Sequence, residues 1–194
     1  MDLWRYPCFR YLDILLMINM ALYKTAEELI PLKDELIQFA LETEADKIHL
    51  GNYDLLKTDP EAYLVDSENQ SNGIGLPDGW VPHTRFWYVM NNERIIGSID
   101  LRHFLTPDLE DLGGHIGYVV RPKERNRGYA TFMLAEIIPE ALKLGIRKLL
   151  ITAASDNLAS RKVIERSCGI LETERYSCLA GRMTAYYWIN IDKK

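Results

Sequence analysis

The chain has 194 residues, 47% hydrophobic and 26% charged. That balance excludes disordered and fibrous classes and, at roughly 150 residues per domain, points to one soluble domain with a short appendage. Lys and Arg total 23 against 28 Asp and Glu, a net charge of −5 with a pI of about 5.4, so the basic footprint of a nucleic-acid-binding protein is absent and no such partner is expected.

Near the amino terminus, Leu12, Ile14, Leu15, Leu16, Met17 and Ile18 form an apolar run behind Arg5 and Arg10. The run falls short of the roughly 20 residues that a helical membrane span needs. Asp13 and Asn19 interrupt it and no A-x-A cleavage pattern follows, so neither a spanning segment nor a cleaved leader is expected. Three readings stand for residues 1–19: a helix that docks, a membrane-surface anchor, or an extension upstream of a working start at Met20. The first and last fit best, because residues 20–194 read as a self-sufficient domain.

Leu29, Leu32, Leu36, Ile37, Ala40 and Leu41 recur at helical spacing, predicting an amphipathic helix from Leu29 to Leu41 with Pro31 in its first turn. A weaker helix covers Asp59 to Val65, and the Ser, Asn, Gly and Pro content from Asp66 to Gly79 reads as a loop. Strands follow at Arg85–Met90, Arg94–Leu101 and His115–Val120, the first two joined by Asn91-Asn92-Glu93, a hairpin signal. Gly128 to Leu144 reads as a helix with Met133, Leu134, Ile137, Ile138, Ala141 and Leu142 on its core stripe and Gly145 at its carboxyl cap. Pro139 lies inside it, a defect of about 3 kcal/mol, so a kink or break is expected there. Lys148–Ala153 is a continuously apolar strand, Asn157–Ser167 a helix, and Met183–Ile191 a closing strand. A mixed, mostly antiparallel α/β domain is the result. Cys8, Cys168 and Cys178 form no CxxC pair and no metal-ligand spacing. That reads against a disulfide framework and a metal site, and suits a reducing, cytoplasmic setting.

The informative segment runs from Val119 through Val120, Arg121, Pro122, Lys123, Glu124, Arg125, Asn126, Arg127, Gly128 and Tyr129 to Ala130. A strand ends, a short polar loop follows, and a helix starts at a small residue. This arrangement aims unpaired backbone N–H groups and the positive end of a helix dipole at one spot, which makes an anion site. Gly128 and Ala130 let a phosphate approach the backbone closely, and Arg121, Lys123, Arg125 and Arg127 add positive charge. A pyrophosphate is the natural ligand.

This loop resembles the R/Q-x-x-G-x-G/A signature of the GNAT N-acetyltransferase superfamily. The stretch from Asp156-Asn157 through Ser160 to Glu165 is similar to that family's second cofactor element, an Asn-led helix after a strand. The resemblance implies a central sheet splayed into a V-shaped cleft between the strands ending at Val120 and Ala153, with helices on both faces. It implies acetyl-CoA as cosubstrate: Arg125, Asn126, Arg127, Gly128, Tyr129 and Ala130 around the pyrophosphate, the backbone of Val119 and Val120 along the pantetheine, and Asn157 and Ser160 beside it. It further implies direct acetyl transfer to a primary amine of a small molecule or peptide, and dimers through the final strands are common in similar proteins. The family's usual proton donor, a tyrosine seven positions after the Asn, is replaced here by Ile164. Another group, such as Tyr118, Tyr176 or water, then supplies the proton. For the base, His115 and Tyr118 lie on the strand entering the cleft, with Asp100 and His103 on its neighbour. Trp80, Trp87 and Tyr88, with Asp108, Glu110 and Asp111, are candidates to line an amine pocket. A non-catalytic acyl-CoA-binding module and a transferase using a longer acyl-CoA stay open as alternatives.

Overall fold

A computed structural model of the chain describes residues 20–192; the apolar run at 12–18 lies outside the described residues. Seven strands form two antiparallel sheets. The first has the order β1 (Met20–Tyr23), β2 (His83–Met90), β3 (Arg94–Arg102), β4 (Ile116–Val120), and the second β5 (Lys148–Ala154), β7 (Arg182–Asn190), β6 (Ile170–Ser177). Among the described residues all the ladder pairings are antiparallel, and no ladder joins the two sheets. The halves meet at one bridge, Gly114 to Ile151. Gly114 has φ +61°, and a Cβ there would lie 2.3 Å from the Leu150 carbonyl oxygen. Only glycine permits that approach.

One face of the first sheet packs Phe86, Tyr88, Ile96, Ile99, Leu101, Ile116 and Val120 against α6 (Tyr129–Lys143), in a core shared with Ile164 of α7 (Leu158–Arg166). The opposite face packs Trp87, Val89, Ile95 and Val119 under α1 (Ala26–Leu29), α2 (Lys33–Glu42), α3 (Tyr53–Thr58) and α4 (Pro60–Ser71). Helices thus cover both faces. A short α5 (Pro107–Asp111) links β3 to β4.

Several elements depart from the periodicity reading. The helix expected over Leu29–Leu41 is interrupted: α1 ends at Leu29, Pro31 sits in a 3-10 turn, and α2 starts only at Lys33. The loop expected from Asp66 is helical to Ser71, held by the Gln70 amide donating to Asp66 and the Asn72 N–H returning to Glu68 and Asn69. α6 runs unbroken through Pro139; its buried stripe of Met133, Leu134, Ile137, Ile138 and Ala141 outweighs the one lost hydrogen bond. The hairpin forms as read, with Asn91 and Asn92 both at positive φ and the Glu93 N–H bonding the Met90 carbonyl, as a type I′ turn requires. Cys168 is disulfide-bonded, contrary to the cysteine arithmetic, so the cysteines carry no argument about compartment.

Candidate functional site

β4 ends at Val120, Pro122–Glu124 forms a 3-10 turn, and the loop reaches α6 with Asn126 at φ +62° and Gly128 at φ +88°. Both are left-handed, the conformation that a chain needs to double back onto a helix start, and Gly128 adopts it without steric cost. No side chain caps α6. Its first N–H groups and helix dipole therefore face an open space, a cavity of about 530 Å³ between β4 and α7.

Tyr118, Val119, Val120, Arg125, Asn126, Gly128, Tyr129, Ala130, Asn157 and Ser160 all line this cavity. Arg127, which pairs with Glu124 at 2.8 Å, and His115 are among the sequence-derived candidates that do not. The Asn157 side chain also caps α7, accepting from the Ser160 N–H at 3.1 Å. Sequence reasoning missed Asp46, from the 3-10 turn Glu44–His49, which reaches across to pair with Arg125. Nothing local signals a contact 79 residues apart.

The basic cluster reading of Arg121 to Arg127 needs division. Arg121 is fully buried and points away, its guanidinium 2.9 Å from Glu35 and 3.5 Å from Glu42 on α2, with Phe39 beneath it. It fastens α2 to the end of β4. Arg125 stays at the cavity, donating from Nε to the Val120 carbonyl at 3.1 Å.

The Tyr118 hydroxyl is buried against the Ser160 side chain. Burial pushes the phenol above its ordinary range, with the adjoining Ser160 side chain pulling the other way. It therefore keeps its proton at neutral pH, on a residue that lines the cavity. Ile164, which holds the position of the usual tyrosine, is fully buried in the core.

His115 is tied into the junction between the sheets instead. Its backbone N–H donates to the Leu150 carbonyl at 2.7 Å, and its Nδ1 accepts from the Leu150 backbone N–H at 2.9 Å. The Nδ1 lone pair is committed, and burial, with Arg102 nearby, pulls the imidazole down to about 4. Replacing it with Asn, which offers an acceptor of similar reach, is expected to leave kcat/KM within about 3-fold, read from thiol release across pH 5.5–8.5. The folded pKa lies below the ordinary 6.5, so the unfolded chain binds more protons between those values and stability falls as pH drops from 6.5 through 4. Denaturation at pH 7 and pH 5 should show that loss reduced in His115→Asn.

The remaining base candidates are also engaged. Asp100 binds Arg85 through both oxygens, at 2.6 and 2.7 Å, and His103 bonds Thr84. Trp87 and Tyr88 are core, whereas Trp80 and Asp108 line a second cavity of about 230 Å³. Asp111 is held by Ser177, Arg175 and the Leu179 N–H, which bring its carboxyl down to about 2; together with a Tyr186 hydroxyl bond at 2.8 Å, it fastens α5 to the second sheet.

Among the described residues, no group of three or more His, Cys, Asp or Glu could hold a metal ion, and no helix is long and apolar enough to cross a membrane. Solved structures share the fold. A RimL ribosomal L7/L12 α-N-protein acetyltransferase in complex with coenzyme A superposes with a TM-score of 0.64 at 18% identity, over 91% of this chain and 97% of that one. A Salmonella typhimurium acetyltransferase that modifies the N-terminal serine of ribosomal protein L7/L12 gives 0.65 at 17% identity, over 91% and 98%. The ribosomal-protein-S5-alanine acetyltransferase of Vibrio fischeri gives 0.63 at 14%, over 90% and 94%. No curated protein matches the chain. Residues 34–169 match the family model of the acetyltransferase (GNAT) domain, the span that carries both the Arg125–Ala130 loop and the Asn157-led helix, and the chain belongs to the GNAT N-acetyltransferase family.

Proposed function

We propose that the chain transfers an acetyl group from acetyl-CoA directly to the α-amino group of a peptide or small amine. The observation that carries this reading is Tyr118, a protonated phenol on the cavity wall that it shares with Ser160 and the uncapped start of α6. A thioester supplies an activated acetyl group; the new bond is C–N and the broken one C–S. The chain's task is to hold the donor, keep water out and return a proton to the sulfur. The backbone N–H groups at Gly128, Tyr129 and Ala130 suit a pyrophosphate. Arg125 supplies its counter-charge once released from Asp46. Asn126 shapes the turn, Arg127 adds charge at the rim, and the free edge of β4 at Val119 and Val120 offers backbone groups to an amide-bearing arm. Tyr118 protonates the departing thiolate from across the cleft, the role that buried Ile164 cannot fill.

The choice among amines follows from proton chemistry. Among the described residues lining the cavity, Asp46 is held at the anion site by Arg125, and Glu124 by Arg94 and Arg127, so neither carboxylate stands free as a base in the unliganded chain. An α-amino group, with a pKa of about 7.7–8.0, is roughly a third neutral at pH 7.5, whereas a lysine amine near 10.4 is about 0.1% neutral. The acceptor that needs no deprotonation is therefore an α-amine. The named substrates of two similar structures, ribosomal protein L7/L12 and its N-terminal serine, fit that class. For assembly, β6 offers a free edge with Ile170 and Tyr176 exposed, where a second copy would add.

Titration calorimetry with CoA and acetyl-CoA, followed by thiol release over peptides and free amines, tests the reading. Binding without release from any acceptor would make the chain an acyl-CoA-binding module, and faster release with a longer acyl-CoA would change the donor. Tyr118→Phe is expected to lower kcat about 100-fold with the acetyl-CoA KM within about 2-fold; an unchanged kcat would take the proton donor elsewhere.

A further inference from the structure

The second cavity lies on the helix-covered face of the first sheet, opposite α6. Its floor is built by register: His83 and Arg85 of β2 stand opposite Arg102 and Asp100 of β3. α2, α3 and α4 cover the apolar part of this face and leave the polar quartet open beside Trp80 and Asp108. The buried Arg85–Asp100 pair cancels its own charge. Arg102 does not: it donates to the Gly113 and Gly114 carbonyls at 3.3 and 3.1 Å, and no carboxylate lies within ion-pair distance of it among the described residues. Burial lowers its pKa, with Asp100 resisting, as expected of a guanidinium partly withdrawn from water. Asp108, on exposed α5, stands at the mouth. The depth of the cavity therefore carries one uncompensated positive charge.

That charge lies at the junction where the two sheets meet, since Gly114, whose carbonyl Arg102 holds, bridges Ile151 of β5. Gly113, one of the turn residues Arg102 holds, donates its N–H to Thr152 Oγ1 of β5 at 3.0 Å. Gly117 of β4 stands opposite Asp100, on the strand whose far end, Tyr118 to Val120, lines the first cavity.

We propose that this cavity takes the carboxylate of the acceptor, with Arg102 as its counter-ion, so that the favoured substrate is a peptide bearing an acidic residue directly after its free α-amine. The proposal rests on the acetyl-transfer reading and turns the overall charge argument around. A chain of net charge −5 suits a cationic substrate at long range, but this pocket selects an anionic group. Trp80, half exposed and tilted against His83 with ring centroids 5.8 Å apart, walls the mouth.

The test uses amidated peptides that differ only by Asp or Asn at the second position. Their N-acetylated forms are titrated into CoA-saturated protein, and their free-amine forms are assayed for thiol release with saturating acetyl-CoA. The Asp peptide is expected to bind about 10-fold tighter and to gain the same factor in kcat/KM through KM. Arg102→Gln should bring both ratios within about 2-fold while CoA affinity holds. Asp108→Asn, at an exposed position that threatens no fold, should widen the preference about 2-fold. Equal binding of the two peptides to the CoA-loaded wild type, or an Arg102→Gln loss shared equally by both, would overturn the proposal. Failure of CoA to bind would instead overturn the transfer reading, while the peptide titration without CoA still reads Arg102's selectivity.

Discussion

Gly128→Glu is expected to abolish CoA binding, at least a 100-fold loss of affinity, in a protein that remains folded. The substitution sets a carboxylate among the N–H groups at the start of α6, where a helix tolerates or welcomes it by about 0.3–1 kcal/mol. It fills the anion position that the uncapped turn leaves open. The φ of +88° adds about 1 kcal/mol of backbone strain, a few degrees of melting temperature in a chain this size. Gly128→Ala separates the effects: it carries the strain without the charge and should lose no more than about 10-fold. Calorimetry with CoA beside thermal melts of both variants reads them, and an unchanged affinity in folded Gly128→Glu would move the phosphate site away from α6.

Asp100→Asn should be the most damaging single change to stability, about 3–5 kcal/mol, or roughly 10 °C of melting temperature. Asn preserves the shape but removes the charge that balances Arg85. Arg85 also donates to the Leu50 carbonyl and bonds the Tyr63 hydroxyl, so the pair ties β2 and β3 to the segments around α3 and α4. Burial alone would raise the Asp100 pKa, yet Arg85 holds it below the ordinary 3.8. The wild-type advantage is therefore complete above pH 3.8 and disappears as pH falls through the lowered folded value. Urea melts at pH 7 and at the lowest pH where both proteins fold should show the gap closing. Replacing both partners with apolar residues, Arg85→Met with Asp100→Leu, should recover part of the loss.

The same pair marks where sequence reading stops. The strand–turn–helix arrangement from Val120 to Tyr129 was legible because strand end, polar turn and helix start are consecutive and follow from local backbone geometry. The Arg85–Asp100 pairing depends on a register shift between Tyr88 and Val89. Counted evenly from the Asn91–Asn92 turn, Arg85 would face Ile99; the bulge skips one residue of β3 and brings Asp100 opposite instead. β6 was unreadable for a different reason: Ile170–Ser177 is exposed along most of its length, so no alternation of apolar residues records it. The second half of α4 is polar throughout and is held by capping and side-chain bonds rather than by a buried stripe. His115 has the residue type and position of a base, and only the contacts of its Nδ1 assign it to the joint between the sheets.

On the acetyl-transfer reading, the Asp46–Arg125 contact would give cofactor binding the character of an exchange. A phosphate arriving at Arg125 meets a guanidinium already satisfied by a carboxylate, so an ion pair within the chain opens as one with the ligand closes. The salt dependence of affinity is then shallower than a count of basic residues in the loop suggests, because part of the screening acts equally on both sides of the equilibrium.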